Sequence, residues 1–253
     1  MRYCILASGS RGNSLFIESV HGRFLVDVGL SARKIETRLK ERDIDPKTID
    51  AIVLTHSHGD HVRGVGVFAH RHKLPIYGHP ETLDSITHLL KPAQEVIPWS
   101  APFTVKDVRF TPFELPHDCE PTVGYLVREG ARTLAVCTDL GYVPPSLTGL
   151  LRQAQAMVLE SNHDPDMLMN GPYPWHLKDR IAGRRGHLSN HNAGELLKEI
   201  LHPAIRHVVL GHLSEENNTA VLARDTVLEH IGVQFAPIVD VVEQQTVSAL
   251  YDL

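Results

Sequence analysis

The chain has 253 residues, 42% hydrophobic and 22% charged, which is the balance of a globular protein with a sizeable core. Its formal net charge of -5 removes any overall demand for nucleic acid or an anionic membrane, so nucleic-acid binding would have to come from a local basic patch. No run approaches the ~18 apolar residues of a spanning helix; the start lacks a signal-peptide apolar segment and Cys4, Cys119 and Cys137 are scattered, so a cytoplasmic protein without a disulfide framework is expected.

Short apolar runs read as strands at Cys4–Ala7, Ser14–Glu18, Arg23–Asp27, Ala51–Leu54, Pro75–Tyr77, Phe103–Val105, Val108–Glu114, Val123–Arg128, Arg132–Cys137, Ala156–Glu160, His207–Leu210 and, near the end, Ile238–Tyr251. Helical periodicity falls at Ser31–Arg42, Gly64–His72, Pro80–Leu90 and Ala193–Leu201. Ser31 is placed to cap the first helix, and Asn192 with Glu195 resembles a capping box for the last. A strand-rich opening half followed by alternating strands and helices predicts an α/β chain with two packed mixed sheets flanked by helices, over a single domain at 1–253. The connection from Asn162 to Asn190 is unusually long, and a loop of that length usually has a task.

Chemistry concentrates in Thr55-His-Ser-His-Gly-Asp-His61, directly behind the apolar strand Ala51–Leu54. His56 and His58 alternate and can turn to one side of an extended loop. Asp60 and His61 are adjacent and cannot share that direction, which suggests a second centre. Imidazole with carboxylate favours zinc, manganese or iron over calcium or magnesium. Other strand ends offer further ligands: His117 follows Phe110-Thr-Pro-Phe-Glu-Leu-Pro, Asp139 follows Thr133-Leu-Ala-Val-Cys-Thr, and His212 follows His207-Val-Val-Leu-Gly. A carboxylate has two oxygens with which to bridge two cations, so Asp139 is the natural bridge. His56, His58 and His117 would hold one divalent ion, and Asp60, His61 and His212 the other. Gly186-His-Leu-Ser repeats as Gly211-His-Leu-Ser, so His187 competes with His212; only His212 is preceded by a strand, and the ligand is assigned to it.

This set of residues resembles the metallo-β-lactamase fold superfamily, in which HxHxDH with later His, Asp and His binds two metals in an αββα sandwich. Leu6-Ala-Ser-Gly-Ser-Arg-Gly-Asn-Ser14, Asp27-Val-Gly-Leu-Ser31, Asp45-Pro-Lys-Thr-Ile-Asp-Ala51, Glu160-Ser-Asn-His-Asp164 and Gly186-His-Leu-Ser-Asn190 make the chain similar, over nearly its whole length, to the YycJ/WalJ (VicX) group. The resemblance implies a metal-dependent nuclease, including 5′→3′ exonuclease activity on DNA, with tRNase Z, RNase J and a cyclic phosphodiesterase as wider relatives. The stretch from Asp139 to His212 is too short for the inserted domain of RNase J-like enzymes.

On this footing Asp60 would orient the attacking water and take its proton. Relatives in tRNase Z use a glutamate–histidine pair as the acid, and Glu160 with His187 occupies matching positions; the plainer alternative is a loop cap beside a solvated histidine. Asp27 would brace the metal loop from behind, or serve only as a turn aspartate. Ser8, Ser10 and Asn13 sit in a Gly-rich loop suited to a phosphate. In 162–190, Tyr173 and Trp175 would stack on bases while Lys178, Arg180, Arg184 and Arg185 meet phosphates, or the arm is a solvated basic helix whose aromatics pack on the core or on a second copy in a homodimer. Ser189 and Asn190, at a helix start, suit a terminal phosphate. The function expected is therefore a two-metal phosphodiester hydrolase acting on DNA by attack of a bridging hydroxide. A hydrolase of a cyclic phosphodiester, lactone or thioester on the same site is the alternative, and a non-catalytic scaffold is disfavoured because every ligand is present.

Overall fold

The computed structural model describes residues 1–253. In chain order the elements are β1 (Arg2–Ala7), β2 (Ser14–Glu18), β3 (Arg23–Val26), α1 (Ala32–Lys40), β4 (Ala51–Val53), α2 (Gly59–Val62), α3 (Val65–His72), β5 (Ile76–Gly78), α4 (Pro80–Ser85), β6 (Val96–Pro98), β7 (Phe103–Val105), β8 (Val108–Glu114), β9 (Val123–Glu129), β10 (Arg132–Cys137), α5 (Pro145–Leu151), β11 (Ala156–Glu160), α6 (Pro165–Asn170), α7 (Trp175–Ala182), α8 (Asn190–Ile200), β12 (His207–Gly211), α9 (Ala220–Ile231), β13 (Val239–Val241) and β14 (Tyr251–Asp252).

The strands form two seven-stranded sheets, ordered β14-β1-β2-β3-β4-β5-β6 and β13-β12-β11-β10-β9-β8-β7. Each is antiparallel over one part and parallel over the other: β3 to β6 run parallel in the first sheet, β10 to β13 in the second. Alternate side chains on each strand serve two different cores, as a period of two requires. Leu134 and Val136 of β10 join Phe24, Phe110 and Tyr125 between the sheets. Ala135 and Cys137 of the same strand face α5, α8 and α9 through Leu147, Leu197 and Val227. On the other side Ile52 and Leu54 pack with Ile35 and Leu39 of α1 and Phe68 of α3. Strands buried on both faces explain why they read as unbroken apolar runs rather than alternating ones. The result is the αββα sandwich of the metallo-β-lactamase fold.

The differences from the sequence reading have local causes. The segment expected as one strand at Ile238–Tyr251 is split between the sheets: β13 ends at Val241 and β14 begins at Tyr251. The polar run between them crosses over α1, where Arg38 and Arg42 donate to the carbonyls of Gln244, Gln245, Val247 and Ser248. The helix expected over Pro80–Leu90 stops at Ser85 and gives way to a short 3-10 turn at Thr87–Leu89. The last helix expected begins three residues early because Ser189, not Asn192, caps it: the Ser189 hydroxyl accepts from the Asn192 N–H. The long connection from Asn162 to Asn190 is not a structureless loop but contains α6 and α7. Helices α5 and α9 and strand β6 have no counterpart in the sequence reading; in α9 the buried Ala223, Val227, Leu228 and Ile231 carried a helical period that Thr219 caps.

Candidate metal centre

The C-terminal ends of β3, β4, β8, β10, β11 and β12 meet along one edge of the sandwich, and every expected ligand lies there. Ligand atoms of His56, His58 and His117 lie within 4.8 Å of one another, as do those of Asp60, His61 and His212, and those of His56, His61 and Asp139. Asp139 stands between the two sets: Oδ2 is 3.2 Å from His61 Nε2, while Oδ1 is 3.4 Å from His212 Nε2 and 3.8 Å from His117 Nε2. His212, not His187, joins the second set.

The loops that carry these residues are laced to each other. Asn13 N–H donates to the Asp60 carbonyl at 2.7 Å, Val28 N–H to that of His61 at 2.8 Å and Gly29 N–H to that of Asn13 at 2.8 Å. A Cβ on Gly29 would stand 1.6 Å from the Asp60 carbonyl oxygen, so only glycine allows this approach. The second sheet reaches across as well: Tyr125 hydroxyl donates to the Leu54 carbonyl at 2.6 Å. Asp27, Asp139 and His212 have φ of 63°, 67° and 58°, a left-handed backbone that is uncommon outside glycine, though Asp and His enter it more readily than most, and that costs on the order of 1–3 kcal/mol each. These three strained positions turn strand ends inward at the centre.

Imidazoles that bind metal are oriented by what their other nitrogen touches. Asp27 Oδ2 lies 2.7 Å from His61 Nδ1, and it accepts at 2.7 Å from the Thr55 hydroxyl, which stands 3.0 Å from His56 Nδ1. One carboxylate thereby sets two rings. Glu160 does the same on the other sheet, with Oε1 3.1 Å from His212 Nδ1 and 2.6 Å from His187 Nδ1, and Oε2 accepting from Leu140 N–H. His117 Nδ1 meets the Gly186 carbonyl at 3.0 Å. Thr55 was missed in the sequence, although its place at the head of the histidine cluster was the available signal.

Whether cations suit this set follows from its charges and its unpaired atoms. His56 Nε2, His212 Nε2 and Asp139 Oδ2 are buried and have no hydrogen-bond partner in the protein, a costly arrangement unless something else binds them. Burial, with the neighbouring His61, keeps the His56 imidazole well below its usual pKa and hence neutral, the form that binds metal. Burial alone would also lower His61 and His212, yet Asp139 lifts both well above the usual range, helped by Asp27 at His61 and by Asp60 and Glu160 at His212. Burial alone would likewise raise the Glu160 carboxyl, which its two histidines instead hold at about 2. Carboxylates packed this way call for positive charge, and divalent cations supply it while leaving the imidazoles neutral. The residues therefore fit divalent metal.

A cavity of 290 Å³ opens above the cluster. Of the expected substrate contacts, Ser10, Tyr173 and Arg180 line it, together with His187. Others have different tasks. Lys178 is buried and donates from Nζ to the Met169 carbonyl at the end of α6, at 2.7 Å. Ser189 is occupied by capping α8, and Asn190 is fully buried between Ser161 and Asn218, so neither is open to a phosphate. Ser8 is buried and accepts from His212 N–H at 2.7 Å, which fixes the backbone of that candidate ligand. Asn13 is buried beside His61 Nε2 at 2.8 Å rather than in the cavity. Arg184 stacks on Tyr142 with its guanidinium carbon 4.1 Å from the ring centroid, and Arg185 donates to the His117 carbonyl and pairs with Glu120; neither lines the cavity. Trp175 is exposed on α7 and also lies outside the cavity wall. Asp118, Asn162 and Ser214 line the cavity and were not singled out from the sequence.

The chain is similar to known proteins over most of its length. The family described as the beta-lactamase superfamily domain matches residues 22–213. Exodeoxyribonuclease YycJ of Bacillus anthracis is 35% identical over 231 residues, 90% of this chain and 88% of that protein. Exodeoxyribonuclease WalJ of Streptococcus pneumoniae is 35% identical over 237 residues, 91% of this chain and 88% of its own. Among solved structures, the metallo-β-lactamase fold protein YhfI of Bacillus subtilis superposes with a TM-score of 0.76 at 19% identity, covering 98% of both chains.

Proposed function

The chain belongs to the beta-lactamase superfamily, and from that premise we propose that it is a two-cation phosphodiesterase that degrades DNA from the 5′ end. It is a metal-dependent hydrolase, and relatives named exodeoxyribonuclease support nucleic acid as its substrate. The observation that carries the reading is the ring of buried, unpartnered donors, His56 Nε2, His212 Nε2 and Asp139 Oδ2, under a cavity walled by Arg180 and Tyr173.

His56, His58 and His117 would hold one cation, Asp60, His61 and His212 the other, with Asp139 shared. Bound there, two divalent ions, zinc or manganese on this mixture of imidazole and carboxylate, supply Lewis acidity to phosphate oxygens and lower the pKa of water. Asp60, which lines the cavity, orients the attacking water and accepts its proton. As the new P–O bond forms, the bond to the leaving 3′ oxygen breaks, and that oxygen needs a proton. His187 has Nδ1 committed to Glu160, which leaves Nε2 to deliver it. The remaining strand keeps a 5′ phosphate, the end that Arg180 is suited to grip, while the Tyr173 ring offers a base a stacking face. A cavity of 290 Å³ suits a strand end better than a duplex passing through.

The test is digestion of DNA labelled at either end, single- and double-stranded, with zinc and manganese in turn. Label at the 5′ end should appear at once as mononucleotide, and label at the 3′ end should persist on a shortening strand. The reverse order overturns the polarity. Hydrolysis of lactones or thioesters with no nuclease activity under either metal overturns the phosphodiesterase reading.

A further inference from the structure

Four of the five imidazoles in the candidate centre have a partner for the nitrogen turned away from the other ligands: Thr55 for His56, Asp27 for His61, the Gly186 carbonyl for His117 and Glu160 for His212. His58 is the exception. It turns Nδ1 toward His117 Nε2, 3.3 Å away, and so presents Nε2 outward. The group facing that nitrogen is Asp118 Oδ1 at 3.6 Å, within ion-pair range but too far for a hydrogen bond. Asp118 is held there by Arg180 of α7, whose Nε lies 2.6 Å from Oδ2. The same Oδ1 is 3.3 Å from His117 Nε2, so the carboxylate stands at the rim of the first cation position. Arg180 itself lines the cavity.

We infer that Asp118 is the positioning carboxylate of His58, and that Arg180 holds it back, so that substrate bound by Arg180 tightens the first cation position. This inference rests on the two-cation reading above. A phosphate that takes the Arg180 guanidinium frees Asp118, and a movement of less than 1 Å then brings Oδ1 to hydrogen-bond distance of His58 Nε2–H. A carboxylate there fixes the ring and makes Nδ1 a stronger donor to metal. Linkage requires the reciprocal effect, in which a filled first position favours the substrate-bound arrangement of Arg180.

Zinc titrations of the full-length protein against a chromophoric chelator test this, with cobalt(II) absorption reporting the ligand field at each position. Asp118→Asn should weaken one of two zinc ions about 10–100-fold and leave the other unchanged, and Asp118→Glu should restore part of the loss. Arg180→Ala should tighten that same ion, and should have no effect on zinc in the Asp118→Asn background. A non-hydrolysable phosphorothioate oligonucleotide should tighten the same ion in the wild type and not in Asp118→Asn. Two zinc ions bound by Asp118→Asn as tightly as by the wild type would overturn the inference alone, as would equal weakening of both ions, the mark of a merely structural role. An Arg180→Ala protein that loses the ion as Asp118→Asn does would show that Arg180 anchors the carboxylate instead of restraining it, and overturns the coupling. A wild type that binds no cation overturns the reading of the centre itself.

Discussion

The first sheet delivers His56, His58, Asp60 and His61 from one loop behind one strand, whereas the second delivers His117, Asp139, Glu160 and His212 from the ends of four strands. The first group is assembled by short-range chain geometry and by loops bonded to each other at Asn13, Val28 and Gly29. The second depends on the register of β10, β11 and β12, which sets Leu159 beside Leu210 and Cys137 beside Leu159, and on left-handed backbone at Asp139 and His212. Of the second group, Asp139 stands between both ligand sets, facing His61 from one oxygen and His212 and His117 from the other. Each half also has one buried carboxylate behind its imidazoles, Asp27 on one side and Glu160 on the other. Asp27 also holds Thr55, whereas Glu160 also holds a histidine outside the two ligand sets, His187.

The sharpest way to break this comparison is Asp139→Asn, which keeps the side chain's size and removes the charge shared by both ligand sets. The expected outcome is a fall in kcat/KM on DNA of ~1000-fold or more, about 4 kcal/mol of transition-state stabilisation, with fewer than two cations retained on dialysis. Activity within tenfold of the wild type would mean that the second sheet is not the shared support of both positions. Next in size are Asp27→Asn and Glu160→Gln. Both should weaken cation binding about 10–100-fold, but saturating manganese should restore kcat only in Asp27→Asn. In Glu160→Gln kcat should stay low, because His187 has lost the carboxylate that orients it. Restoration of both to the same level would remove His187 from the reaction and make the two carboxylates equivalent.

A smaller effect separates two arginines of the same arm. Arg180 lines the cavity, while Arg184 lies on Tyr142 outside it. Arg180→Ala should raise KM for DNA several-fold and reduce the slope of log binding constant against log salt by about 1, and Arg184→Ala should leave both unchanged. Equal effects would widen the substrate path beyond the cavity.

How much of this was legible in the chain follows the same division. The Thr55–His61 cluster could be read directly because its residues are neighbours and the preceding Ala51–Leu54 run is apolar on both faces. His117, Asp139 and His212 could be read because each follows such a run. The roles of Ser8, Lys178, Ser189 and Asn190 could not, because a polar residue in a loop looks the same whether it faces solvent or satisfies a buried backbone group. Asp118 was overlooked for the opposite reason: it is one aspartate among many until the fold sets it between His58 and Arg180. Helices α6 and α7 are hard to read because the connection that holds them is rich in Pro, Gly, Asp, Met and Arg, and Gly171, Pro172 and Pro174 between them mimic irregular chain. Asp164, capping α6 by accepting from the Met167 N–H, was the local signal.

Ser189 provides the smallest and most discriminating test of that lesson. A serine at a helix N-terminus can meet a ligand anion or cap its own helix, and its hydroxyl cannot hold both in the same geometry. Here it accepts from the Asn192 N–H at 3.2 Å and is buried, so Ser189→Ala should cost about 1 kcal/mol of stability. For a chain of this size that is a fall in Tm of roughly 2–4 °C, with kcat and KM on DNA unchanged at a temperature where the variant is fully folded. A rise in KM without a fall in Tm would return Ser189 to the substrate site. The second sheet would then contribute a phosphate contact as well as ligands, and the contrast with the first sheet would become larger.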